Sequence, residues 1–338
     1  MKRMVLSAEQ IKSIAKGALH WQVGLGNGLI PWRYSPQQIG IYSFSERRIR
    51  NGSASAGIRL EFSTDAAAFQ MAFRVFRGET RDWYGLDLYV DGNLHGHFAG
   101  LLSEPDHHVW EVSLPAGKKT VTVHLPCTAG VEILEVQLQN ATVCAPLGER
   151  KEKILFLGDS ITQGLDSTFP SFTYVTMLAN HRNADFLNQG NGGEIFNSKI
   201  IAPLDWQPTM AVIAYGTNDW GAHNREQVTD NAAEFLRRFC EVWPDLPTFV
   251  LTPLWRGDAE TRREDDFRHE EVAQILQREG EKYPQIHVIC GYDLLPAIPE
   301  LMQDARLHPN DLGFVIYAKR LTEKLDALHP QEAENKGD

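Results

Sequence analysis

The hydrophobic pattern of the chain changes period once, near residue 145, and that change restricts the fold more than any other feature. Between Gln37 and Thr142 apolar residues recur at alternate positions, in 39–44, 58–62, 69–76, 86–90, 109–114, 121–125 and 131–138. Period two places successive side chains on opposite faces of a strand. Turn formers such as Asp91-Gly92-Asn93 and Pro115-Ala116-Gly117 separate the runs, so the pattern predicts an antiparallel sandwich. From Ile154 onward the apolar runs no longer alternate. Residues 154–157, 184–187, 210–215, 248–251 and 286–289 read as strands buried on both faces, with helical spacing at 171–182, 225–242, 262–281 and 311–328. Strand and helix in alternation predict a parallel sheet covered on both sides.

Two units follow from this change, in keeping with a length of 338 residues. Residues 1–145 form an N-terminal β-sandwich, opened by a short helix with the Ser7-Ala8-Glu9-Gln10 capping box. A polar stretch, 144–153, links it to an α/β unit at 151–330, and residues 331–338 form a polar tail.

A net charge of −11, without any lysine/arginine cluster, argues against nucleic acid or an anionic membrane as partner. No apolar run approaches the ~20 residues that span a bilayer, and residues 1–7 have the charge of a signal peptide without its apolar core. Cys127, Cys144, Cys240 and Cys290 are far apart and form no CxxC pair. Reduced thiols in a cytoplasmic protein are the expectation, with no metal site among them.

The stretch 154–163 (ILFLGDSITQ) carries the chemistry. Gly158 ends the apolar run, so Ser160 lies just past the C-terminal edge of a strand, where open α/β sheets bind their ligands. Alone, Gly158-Asp159-Ser160 also reads as a helix-capping turn. Three later stretches bear on the choice: Asn188-Gln189-Gly190-Asn191-Gly192-Gly193, Gly216-Thr217-Asn218-Asp219, and His308-Pro309-Asn310-Asp311. The first two follow parallel strands and converge with the Ser160 loop; the third reaches the same edge by heading a helix. Together they suit acyl transfer. A serine hydroxyl needs a base, for which His308 is the candidate, and the tetrahedral intermediate needs fixed donors, which a glycine-rich backbone and the Asn218 amide can supply.

In this order and at these spacings the four stretches resemble the blocks of the SGNH (GDSL-type) hydrolase superfamily, over roughly residues 151–330. The resemblance implies a flavodoxin-like three-layer α/β/α fold. It makes Ser160 the nucleophile, His308 the base, and the Ser160 N–H, Gly193 N–H and Asn218 side chain the oxyanion donors; the spacing of five from Asn188 selects Gly193 over Gly190 or Gly192. In the first unit, Gly85-Leu86-Asp87-Leu88-Tyr89 looks like the Gly-x-Asp-Leu-Tyr signature of the β-sandwich ahead of some of these hydrolases, although alone it is simply a strand. Several carbohydrate esterases likewise have a jelly-roll sandwich followed by an SGNH domain. One position departs from the family pattern. The aspartate expected three residues before the histidine is Ala305, with Asp304 one residue further back. Either Asp304 orients the imidazole across an irregular turn, or the site is a Ser-His dyad.

Trp220 and Trp255 follow loops at the same edge and are candidate substrate contacts, by stacking on a sugar ring or enclosing a short acyl group; loop packing is the alternative for both. Asp159 is expected to hold the Ser160 turn, and Asp311 to favour its helix N-terminus. The pairs His95/His97 and His107/His108 read as surface histidines, and the charged run 256–269 as a solvated loop and helix start.

These readings predict a serine esterase that removes acetyl or another short acyl group from a carbohydrate or similar polar substrate, with no metal or organic cofactor. The alternatives are a lipase, lysophospholipase or acyl-CoA thioesterase, and a carbohydrate-binding protein with an inert hydrolase domain. The sandwich would serve as a glycan-binding module, a homo-oligomer contact or a wall of the active site.

Overall fold

The computed structural model describes residues 2–103, 106–263 and 265–331, so the polar tail beyond Gln331 lies outside the described residues. Its α/β part is built on five parallel strands: Lys153–Gly158, Asp185–Gly190, Met210–Ala214, Thr248–Leu251 and Ile286–Ile289. The second strand lies outermost beside the first, then come the third, fourth and fifth. This 2-1-3-4-5 order is that of flavodoxin-like sheets. Alternate residues of each strand enter different cores. Ile154, Phe156, Phe186, Val212 and Phe249 pack with helices Tyr174–His181 and Asp311–Leu328, whereas Leu155, Leu157, Leu187, Ile213 and Val250 pack with Arg225–Val242 and Glu271–Gly280. Burial on both faces explains why these strands read as unbroken apolar runs.

The antiparallel part consists of two six-stranded sheets. One is centred on Ala68–Arg77 and Ala129–Gln139, the other on Arg59–Thr64, Lys119–His124 and Trp83–Val90. Phe69, Met71, Phe73 and Val131 from the first share one core with Leu60, Phe62, Leu86 and Val123 from the second.

The all-β expectation for residues 1–145 does not hold. Of residues 39–44, expected as a strand, the first four lie in a helix, Pro36–Tyr42, and the last two in the turn before a second helix, Glu46–Gly52. The reason is local. Ser35 Oγ accepts from Gln38 N at 3.3 Å while Gln38 Oε1 accepts from Ser35 N at 3.0 Å, and Pro36 occupies the first turn. A capping box with proline at the first position outweighs a short apolar run that fits either period. These helices also leave the antiparallel core: Tyr34 and Tyr42 are buried with Leu187, Ile213 and Tyr215 on one face of the parallel sheet.

Three further segments differ from expectation. The linker region contributes a strand, Cys144–Pro146, paired with Arg59–Thr64. Residues 171–182 divide into a 3-10 turn, Pro170–Phe172, and a helix, Tyr174–His181. The helix expected over 262–281 covers only Glu271–Gly280; ahead of it Arg263 Nη1 donates to His223 O at 2.9 Å instead of lying on that helix.

Candidate active site

The Ser160 loop is a strand-to-helix elbow closed by hydrogen bonds. Gly158 has no room for a side chain, since a Cβ there would lie 2.0 Å from Thr162 Oγ1. Asp159 caps the short helix Ser160–Gln163 by accepting from Ile161 N at 2.9 Å, and Gly164, at φ 97°, ends it. Ser160 sits on this turn with 6% of its surface exposed. The neighbouring loop is locked to it: Asn188 Nδ2 donates to Thr162 O at 2.8 Å and Gly192 N to Gln163 Oε1 at 2.8 Å. Gly193 follows in the left-handed region at φ 72°.

Ser160 Oγ and His308 Nε2 are 2.9 Å apart, within hydrogen-bond reach. On the other side of the ring, His308 Nδ1 is 3.1 Å from Asp304 Oδ2. The one-residue displacement from the family spacing is absorbed at Ala305, which adopts φ 52°. That left-handed turn folds Asp304 back over its own successors. Its Oδ1 accepts from the amides of Arg306 at 3.1 Å, Leu307 at 2.7 Å and His308 at 3.1 Å. Burial raises the Asp304 pKa, but the bonds from His308 and from the Leu307 and His308 amides outweigh it and hold the carboxyl well below the usual range.

Asn218 begins beside Gly216, whose φ of 117° starts the short helix Thr217–Ala222. Its Nδ2 donates to Glu194 O at 3.0 Å and lies 3.4 Å from Asp159 Oδ2. Glu194 adjoins Gly193 and Asp159 adjoins Ser160, so Asn218 is tied to the neighbours of both other expected donors. Neither the Ser160 nor the Gly193 amide has an acceptor among the described residues. Burial pushes the Asp159 carboxyl up to about 6, and Asp219, next to Asn218, up to about 7.

Trp220 is not at the site surface. It is fully buried, donates Nε1–H to Phe267 O at 2.8 Å and packs edge-on to His269 at 5.0 Å. The helix Thr217–Ala222 turns its indole inward, so its place is in packing and not in substrate contact. Trp255 is half-buried, with its ring edge beside Gly257 on the flank of Ala305 and Arg306. Asp311 accepts from Thr168 N and Ser167 Oγ, each at 2.8 Å, tying its helix to the loop after the elbow. His95 bonds Ser113 O at 2.8 Å, His97 bonds Asp87 at 2.7 Å, and His108 bonds Tyr84 at 2.8 Å. Among the described residues, Asp166, Asp304 and His308 form a group with metal-ligand spacing, but Arg81 and backbone amides already engage its carboxylates.

Several residues that shape the site escaped the sequence reading. Arg33, fully buried, donates to the carbonyls of Ala54 at 2.9 Å and Asn51 and Asn188 at 3.0 Å, and also to that of Gly190, fixing the 188–193 loop. Asn51 Nδ2 holds Gly192 O at 2.9 Å, and Arg47 lies against Gly193. Asp166, at φ 74°, places Oδ2 3.6 Å from His308 Nδ1 and is forked by Arg81. The Gly85–Tyr89 stretch proves to be a seam. Gly85 lets Thr168 O approach to 2.5 Å of where a Cβ would stand, Asp87 accepts from Ser171 N at 2.9 Å, and Tyr89 OH bonds Ser171 Oγ at 3.0 Å. The Ser35–Gln38 capping box was the available signal for the helices beside the loop. No short motif marks Arg33 or Asp166.

The four cysteines are unpaired, and among the described residues no helix is long and apolar enough to cross a membrane. Residues 156–316 match the GDSL-like lipase/acylhydrolase family. No curated protein matches the sequence. Among solved structures, the salicylyl-acyltransferase SsfX3 from a tetracycline biosynthetic pathway superposes with a TM-score of 0.84 at 20% identity, over 98% of this chain and 99% of that one. A GDSL-like lipase from Bacteroides ovatus gives 0.76 at 19% over 97% and 98%. A family two carbohydrate esterase from Clostridium thermocellum gives 0.66 at 14% over 93% and 98%. At these identities the likeness is one of fold, extending across both parts of the chain. Residues 156–316 therefore belong to the GDSL-like lipase/acylhydrolase family, and the chain is an enzyme of the SGNH type, an esterase.

Proposed function

We propose that the protein is a serine esterase that removes acetyl or another short acyl group from a carbohydrate or similar polar alcohol. The observation that carries this reading is the hydrogen-bonded line Ser160 Oγ, His308, Asp304, with contacts of 2.9 Å and 3.1 Å. Ser160 Oγ attacks the ester carbonyl carbon as its proton passes to His308 Nε2. The former carbonyl oxygen takes the negative charge and is held by the Ser160 N–H, the Gly193 N–H and Asn218 Nδ2. The Glu194 carbonyl fixes the Asn218 amide in advance. His308 then protonates the leaving alcohol, and a water molecule, activated by the same nitrogen, releases the acid. Asp304 orients the ring and faces the imidazolium formed on the way.

The shared fold and an aromatic side chain near the His308 turn support a sugar ester as substrate. The fold, both parts included, is shared with a carbohydrate esterase crystallised with cellohexaose and with an acetyl xylan esterase from Butyrivibrio proteoclasticus. Trp255, beside the His308 turn, is the aromatic face we assign to the sugar.

The test is hydrolysis of p-nitrophenyl esters from acetate to octanoate and of a panel of acetylated sugars, by wild type and Ser160→Ala. Acetyl-restricted activity that vanishes in the variant is the expected result. Faster turnover of octanoate would overturn the short-acyl assignment, and acyl transfer to an added alcohol in preference to water would make the enzyme an acyltransferase.

A further inference from the structure

We propose that His308 is served by two carboxylates, Asp304 and Asp166, and that Arg81, reaching in from the antiparallel part, governs how far Asp166 takes part. The inference rests on the Ser160–His308 reading and extends it.

Both carboxylates address the same atom. Asp304 Oδ2 is 3.1 Å and Asp166 Oδ2 3.6 Å from His308 Nδ1. They differ in how their charge is met. Asp304 lies on a partly exposed turn and is satisfied by backbone amides. Asp166 has no exposed side-chain surface, and its charge is met by a fork from Arg81, Nε to Oδ1 at 2.5 Å and Nη2 to Oδ2 at 2.6 Å. A carboxylate oxygen has two acceptor sites, so Oδ2 can take Arg81 and His308 together.

This arrangement is costly. Asp166 holds φ 74°, a region that side-chain-bearing residues seldom occupy, and a buried ion pair is weak evidence for stability. A purely structural role would be filled as well by an apolar residue. The placement instead suits function: Asp166 is on the same loop as Ser160, and the imidazolium formed during turnover lies against a second fixed negative charge. Arg81 belongs to the segment after strand Ala68–Arg77, so the antiparallel part reaches the reacting histidine through a single intermediary.

Asp304→Ala should then lose much less than the 10⁴ or so associated with a lone orienting aspartate. We expect kcat to fall about 10- to 100-fold with KM within about twofold, because Asp166 takes over the Nδ1 proton. Asp304→Ala/Asp166→Asn should fall by the full 10³ to 10⁴ or so. Arg81→Lys, which keeps the charge and loses the fork, should raise kcat in the Asp304→Ala background by freeing Asp166 to approach. The downfield proton resonance of His308 Nδ1–H reads the same contact without turnover. It should persist in Asp304→Ala and vanish in the double variant.

If Asp166→Asn misfolds with Arg81 unpaired, Asp166→Asn/Arg81→Met removes both charges and serves in its place. A 10⁴-fold or so loss in Asp304→Ala alone, with the resonance gone and nothing added by the second change, would overturn the proposal. Hydrolysis surviving in Ser160→Ala would instead sink the serine reading, which the resonance does not depend on.

Discussion

The parallel sheet and the antiparallel part contribute to the active site in opposite ways. The parallel sheet delivers the candidate reacting groups by topology: Ser160, Gly193 and Asn218 follow the C-terminal ends of adjacent strands, and His308 precedes helix Asp311–Leu328. The antiparallel part and the helices Pro36–Tyr42 and Glu46–Gly52 deliver none of these. They supply restraints instead: Arg33 and Asn51 on the 188–193 carbonyls, Arg81 on Asp166, and Gly85, Asp87 and Tyr89 on residues 168–171. The contrast teaches that strand ends bring the groups together, while a second region restrains the loops that carry them, as the close positioning demanded by catalysis requires.

The sharpest test of the contrast is to strike each region in turn. His308→Ala removes a reacting group, so kcat for p-nitrophenyl acetate should fall by about 10³ to 10⁴ with little change in melting temperature. Arg33→Met removes a restraint and takes one donor from each of four carbonyls, of which Gly190 O keeps Tyr34 OH and Asn51 O keeps Ala54 N–H; urea melts should show a loss of about 3 kcal/mol. Unchanged stability there would mean that the loop holds itself.

Asp219 tests the parallel sheet's own electrostatics. Burial lifts its pKa to about 7, far above its ordinary value of 3.8. The folded chain therefore keeps a proton that the unfolded chain releases near pH 4, and stability falls as pH rises through that window. Asp219→Asn removes the effect. Its stability relative to wild type should climb from pH 4 and level off above pH 7, by a few kcal/mol in denaturant melts; a flat difference would contradict the assignment. Gly85→Ala presses a methyl group onto Thr168 O and should cost about 2 kcal/mol, with kcat lowered through the Asp166 loop. Trp220→Phe loses one buried hydrogen bond, about 1 kcal/mol, and should leave KM for acetylated sugars unchanged; a large rise in KM would return Trp220 to the substrate.

Legibility in the sequence followed the same division. Arg225–Val242, Asp311–Leu328, Thr248–Leu251 and Ile286–Ile289 stand where the pattern put them, because each is long enough or apolar enough for period and caps to agree. Residues 39–44 fit both periods, and the capping box before them carried the answer. Trp220 follows Asn218 by two residues, and in the helix Thr217–Ala222 that is about half a turn, which carries its indole to the far side; the sequence pattern did not mark that segment as helix. Asp304 could be named only as one of two alternatives, since its reach depends on the left-handed turn at Ala305.

By itself the sequence determined the kind of enzyme. The four short blocks are local signals, and a parallel sheet leaves their strand ends one side on which to meet. Tertiary structure alone decided how the site is held: that Asp304 faces His308, that Asp166 stands behind it with Arg81, and that Arg33 braces the glycine loop. The Asp304–His308 contact spans four positions and depends on the left-handed turn at Ala305; the others join residues far apart in the chain, some by more than 150 positions, and their geometry exists only once both parts have packed.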